Sequence, residues 1–158
     1  EELGAGQGET TPNVEATSWT YDRSRDEMRD GETVTACTIS VDQVHLDFPY
    51  KNQNTRLCIR KSPKWGLDAY VRLTEGGQYN CNSYDGCTVH VRFDAKSASA
   101  FTGGTASDGS NDILFFRNAS RFVENAKTSK RLIVEAEFYQ AGVQQMTFNS
   151  AGLEWPPK

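Results

Sequence analysis

Four cysteines, Cys37, Cys58, Cys81 and Cys87, are the side chains of this sequence best suited to covalent chemistry. None of their spacings gives the CxxC pair that structural zinc sites and thioredoxin-like redox centres use, so disulfides are the better assignment. Cys81 and Cys87 bracket Asn82-Ser83-Tyr84-Asp85-Gly86, a turn-forming insert between two β-like runs. Their backbones should return within bridging distance at the neck of a hairpin. By elimination Cys37 pairs with Cys58. The alternative is four reduced thiols in a cytosolic protein, but small exported domains are where such even sets accumulate. The compartment expected from this is the periplasm or the exterior.

Other candidates for catalysis are thin. His45 and His90 each sit inside a strand pattern with no metal-like neighbour, and a lone histidine needs a second group to orient it before it acts as a base. Two histidines and bridged cysteines do not supply three or four converging zinc ligands. There are many serines but no G-x-S-x-G elbow. Asp108 to Asp112 is oxygen-rich but lacks the EF-hand spacing and its terminal glutamate. Glu135 and Glu137 lie on one strand face about 7 Å apart, a separation compatible with a glycosidase pair; a surface ladder is the favoured reading, because no aromatic sugar platform or second motif accompanies them. The expectation is therefore no catalytic residue, no metal and no cofactor.

Aromatic residues in turns are the stronger lead. Trp65, in Lys61-Ser62-Pro63-Lys64-Trp65-Gly66, and Tyr79, Tyr84 and Asp85, at the expected Cys81–Cys87 bridge, lie where a scaffold would present them outward. Trp, Tyr and Arg are the side chains that anchor protein interfaces. These four residues are the expected protein-binding set, with loop-stapling as the alternative role for each aromatic.

The elements that must hold them read as short strands. Thr33 to Val41, Val44 to Phe48, Arg56 to Arg60, Asp68 to Leu73, Thr88 to Asp94, Lys96 to Phe101, Ile113 to Phe116, Leu132 to Tyr139 and Val143 to Phe148 are β-branched or alternate apolar with polar. In Thr88 to Asp94, Val89, Val91 and Phe93 share one face while His90, Arg92 and Asp94 share the other. The charged stretch Asp22 to Glu32 reads as a solvated loop or edge, and Thr102 to Asp112 as a mobile loop. Asn118 or Ser120 caps one short helix over Arg121 to Lys127, with Phe122, Val123 and Ala126 inward. The expected fold is all-β with one short helix: a disulfide-stapled β-sandwich of about nine strands.

Composition bounds the rest. A chain of 158 residues can complete one core, so 18–158 is expected to be a single domain. The stretch 1–17, rich in Gly, Glu and Thr, is expected to be a flexible tether. A net charge of −4 gives no broad basic surface for nucleic acid. No apolar run is long enough for a membrane helix, leaving an N-terminal lipid anchor as the route to a membrane.

Several phrases, in order, resemble a bacterial envelope family that includes the VasI/TagO-type accessory proteins of type VI secretion. They are Leu57-Cys58-Ile59-Arg60, Asp68-Ala69-Tyr70-Val71, Val89-His90-Val91-Arg92-Phe93-Asp94, Ile113-Leu114-Phe115-Phe116-Arg117-Asn118 and Met146-Thr147-Phe148-Asn149-Ser150-Ala151-Gly152-Leu153. The resemblance implies a periplasmic protein, exported or lipid-tethered, without enzymatic chemistry. The expected function is a non-enzymatic periplasmic protein-binding module, associated with a secretion system, whose partner is an envelope component. The alternative is an immunity protein or inhibitor that blocks a toxin or lysozyme-like effector.

Overall fold

The computed structural model describes residues 17–158; the stretch expected to be a tether lies outside the described residues except for Thr17. Nine strands and one helix follow in the order β1 (Thr20–Asp26), β2 (Gly31–Ile39), β3 (Thr55–Ser62), β4 (Gly66–Leu73), β5 (Cys87–Phe93), β6 (Ser99–Gly104), β7 (Ile113–Phe116), α1 (Ala119–Lys127), β8 (Arg131–Phe138) and β9 (Gly142–Asn149). All strand pairs are antiparallel, and the sheet order is β1-β2-β3-β4-β7-β6-β5-β8-β9. The expected all-β, sandwich-like, disulfide-stapled architecture is borne out, with both layers drawn from one continuous sheet.

That sheet folds over until its two ends meet. Val41 N–H donates to the Thr147 carbonyl at 2.8 Å, and Thr147 N–H donates to Asp42 Oδ1 at 2.9 Å. Trp19 Nε1 donates to the Ser150 carbonyl at 3.1 Å. Inward side chains from β2 to β9 then share one core that includes Ala36, Leu57, Ile59, Val71, Val89, Val91, Leu114, Val134 and Phe148. Strict alternation produces this core, because residues two apart on a strand face the same side. The expected inward set Val89, Val91 and Phe93 is buried, as are Phe122, Val123 and Ala126 on the helix. Phe122 stacks on Phe116 with ring centroids 4.2 Å apart, which seats α1 on the sheet.

Asn118 caps the helix, its side chain accepting from Arg121 N–H at 3.2 Å. The charged stretch Asp22 to Glu32 forms the edge hairpin β1–β2, and its charges discourage pairing of the edge with another chain. Two expected strands are corrected. Val44 to Phe48 contributes only an isolated bridge, Val44 to Gln53, because side chains take the next donors: His45 N–H bonds Gln144 Oε1 and Leu46 N–H bonds Asn52 Oδ1. β6 runs Ser99–Gly104, later than expected, because Asp94 at φ 53° and the bond from Lys96 N–H to the Phe93 carbonyl close a turn first. The loop expected from Thr102 accordingly starts after Gly104.

Candidate binding face

The turn Ser62–Gly66 sets up the most distinctive surface. Ser62 Oγ accepts from Trp65 N–H at 3.0 Å, Gly66 takes φ +74°, and Ser62 pairs with Gly66. Once that closing pair is fixed, every later partner on β3 and β4 is fixed too. Arg60 falls opposite Asp68, Cys58 opposite Tyr70, and Arg56 opposite Arg72. Because Leu57, Ile59, Ala69 and Val71 point into the core, these six residues all lie on the outer face.

β2 and β7 extend the face in register. Cys37 lies opposite Cys58, and the two are joined by a disulfide. Phe115 lies opposite Tyr70, with ring centroids 5.3 Å apart. Cys58, Tyr70 and Ile113 form a small buried cluster against Cys37, Ala106 and Phe115. The outer face thus has an apolar floor of its own, separate from the main core. On this floor Arg60 and Arg72 approach the Tyr70 ring, at 5.4 and 5.8 Å from its centroid. Arg60 also donates to Asp68 Oδ2 at 2.8 Å.

Two cavities open on this face and share Arg72. The first, about 530 Å³, is lined by Asp22, Thr35, Arg56, Arg72, Tyr70 and the Cys37–Cys58 bridge, among others. The second, about 510 Å³, is lined by Arg60, Trp65, Asp68, Arg72, Asp108 and Phe115, among others. Hydrogen bonds from Ser110 hold the Asp108 carboxyl below its ordinary value of 3.8, and Arg72 pulls in the same direction. The second cavity therefore balances two arginines against two aspartates, whereas the first holds two arginines and one aspartate.

Of the expected binding residues, Trp65 belongs to this face: it is 57% exposed, and Lys64 Nζ sits 4.7 Å from its ring centroid. Tyr84 and Asp85 line neither cavity. They sit at the tip of the hairpin closed by the Cys81–Cys87 disulfide, where Tyr84 is 90% exposed. Asn82 Oδ1 accepts from both Tyr84 N–H and Asp85 N–H, at 2.7 and 3.1 Å, so the tip has a defined shape. Gly86 at φ +77° completes it; a Cβ there would stand 2.3 Å from the Gly103 carbonyl.

Tyr79 is corrected. It is 5% exposed, its ring packs 4.8 Å from that of Phe138, and burial pushes its phenol up, so it cannot present a contact surface. The physical reason is backbone pairing: Tyr79 N–H bonds the Asn111 carbonyl and the residue bridges to Phe138, which rotates the side chain inward. All four cysteines are in the expected disulfides.

The residues weighed for catalysis are engaged locally. His90 Nδ1 is 3.9 Å from Glu135 Oε1, Glu135 accepts from Gln145 at 3.2 Å, and Glu137 accepts from Asn80 at 2.9 Å. Among the described residues no cluster of three or more His, Cys, Asp or Glu side chains could hold a metal ion. What sequence reasoning missed is the Arg56–Arg72 opposition. Alternation places each arginine on the outer face, but only the closing pair of the turn places them against each other. Comparison with protein-family models, with curated proteins and with solved structures finds no match to this chain.

Proposed function

We propose that this protein is a non-enzymatic binding module of the bacterial envelope that holds another protein on the outer face of β1, β2, β3, β4 and β7. One observation carries the reading: Trp65, Tyr70, Arg56 and Arg72 are gathered around two adjoining cavities on a floor tied down by Cys37–Cys58. Aromatic and arginine side chains anchor interfaces best when little rotamer freedom is left to lose on binding. The disulfides point to an oxidising, extracytoplasmic environment. The finer placement, a periplasmic protein with an N-terminal lipid anchor and a secretion-system component as partner, rests on the family resemblance. The phrases that carry it supply core positions, such as Val89, Val91 and Phe93, and also Cys58, Arg60, Asp68 and Tyr70 of the outer face.

A photo-crosslinking amino acid at position 65 tests the face directly, with position 90 on the opposite outer surface as control. In cells the position 65 variant should trap an envelope protein that the position 90 variant does not. Equal trapping at both positions, or trapping at neither, overturns the reading.

A second reading has its own observation. The tip bearing Tyr84 and Asp85 is closed by a disulfide at its neck, with both Tyr84 and Asp85 backbone carbonyls within 3.5 Å of Arg117. A stiff, protruding aromatic loop suits an inhibitor or immunity protein that plugs the cleft of a toxin or lysozyme-like effector. Tyr84→Ala should then abolish protection against the effector while leaving crosslinking at position 65 intact; unchanged protection excludes it.

A further inference from the structure

We propose that Arg56 and Arg72 form a binding site for a carboxylate, and that the carboxylate is carried by an acidic peptide segment of the partner. Like charges directly opposite on neighbouring strands repel and destabilise the pair. The same two strands show the alternative: four residues along, Arg60 faces Asp68 and bonds it at 2.8 Å. Among the described residues no carboxylate lies within ion-pair distance of Arg56 or Arg72. Nothing about the strand pairing requires the arrangement, since a side chain of either charge fits an exposed outer position.

The surroundings select the anion. The cavity that contains both arginines also contains Asp22, which is outside ion-pair distance of either, and Arg72 is shared with the second cavity and its Asp108. A singly charged carboxylate brings less negative charge up to Asp22 than a phosphate dianion would. Two guanidiniums present forked N–H donors that match the two oxygens of a carboxylate. Tyr70 stands next to Arg72 and the Cys37–Cys58 bridge forms the floor, so an apolar group beside the carboxylate meets apolar surface. An acidic side chain on a peptide offers that combination.

The inference names the chemistry of the partner and rests on the binding-face reading only for the statement that the carboxylate belongs to a protein. The test follows the Arg Nε–H resonances of the full, disulfide-bonded chain by NMR. The probes are acetate, an N-acetylated tripeptide with a central glutamate, its glutamine counterpart, sulfate, and chloride at matched ionic strength. The glutamate peptide should shift Arg56 and Arg72 saturably and at least tenfold more tightly than the glutamine peptide. Equal affinity of the two peptides, or an equal response to chloride, overturns the site. Tighter binding of sulfate overturns the choice of anion, and acetate binding as tightly as the peptide overturns a protein as the source.

Arg72→Glu supplies a second check. It places a carboxylate of the chain's own opposite Arg56, so in a variant that stays folded the response of Arg56 to the glutamate peptide should be lost. A folded variant with an intact response overturns the proposal. Crosslinking at position 65 without an arginine response leaves the face and removes the carboxylate site; an arginine response without crosslinking does the reverse.

Discussion

The two outer faces of this sheet treat charge in opposite ways. On β5, β8 and β9, His90 lies opposite Glu135, Glu135 accepts from Gln145, and Arg92 donates to the Lys96 and Ala95 carbonyls. These groups are satisfied by their nearest neighbours, the ordinary outcome for the wet side of an antiparallel sheet. On β3 and β4 the pattern is split: Arg60 and Asp68 satisfy each other, whereas Arg56 and Arg72 confront each other above a disulfide and beside a tyrosine. Charged groups that already hold local partners have little left to offer a partner protein. A face with two arginines outside ion-pair distance of any described carboxylate, and cavities beside them, has both the recognition chemistry and the room.

Breaking the disulfides gives the largest expected effect. Replacing Cys37 and Cys58 together with serine should cost roughly 3 kcal/mol in denaturant unfolding, because the bridge closes a sequence separation of 21. The Cys81 and Cys87 pair, with a separation of 6, should cost roughly 2 kcal/mol. An equal or larger loss from the second pair would mean that the arginine face is not the more strongly stapled region. Next in size is Asp68→Asn, which removes the partly buried partner of Arg60 and should lower stability by about 1 kcal/mol. It also leaves a third unbalanced arginine on the face, so affinity for the glutamate peptide should rise.

On the other face the expected change is small. His90→Ala combined with Glu135→Gln should stay within about 0.5 kcal/mol of the parent and leave crosslinking at position 65 unaltered; a larger loss of either would erase the contrast between the faces. The smallest effect concerns pH. The Asp108 carboxyl is held below its ordinary 3.8 by Ser110 and then by Arg72, so it should titrate below that value by NMR, and Ser110→Ala should raise it. Since the folded value is depressed, the stability it contributes is fully present above the ordinary value and is lost as pH falls through the lowered one. Above that ordinary value Asp108 therefore keeps its charge, and a carboxylate response that followed the Asp108 titration and not the peptide's own would break the assignment to Arg56 and Arg72.

Much of the architecture was legible from the chain, because alternation, caps and loop closure are short-range. Val89, Val91 and Phe93 declare a buried strand face, Asn118 and Ser120 between them declare a helix start, and the six-residue spacing of Cys81 and Cys87 declares a bridged hairpin. Trp65, placed by its own turn, was found in the same way. Val44 to Phe48 was misread because a β-like composition says nothing about whether Gln144 and Asn52 will take its backbone donors.

The sequence by itself determined which side of each strand a residue occupies and that the cysteines pair, since both follow from a period of two and from local closure. Only the tertiary structure decided who stands opposite whom. Tyr79 went inward because its backbone pairs with Asn111 and bridges to Phe138, residues far along the chain. Arg56 met Arg72 because one turn, closed at Ser62 and Gly66, set the register of two whole strands. Register is a property of pairs of segments, and no single segment carries it.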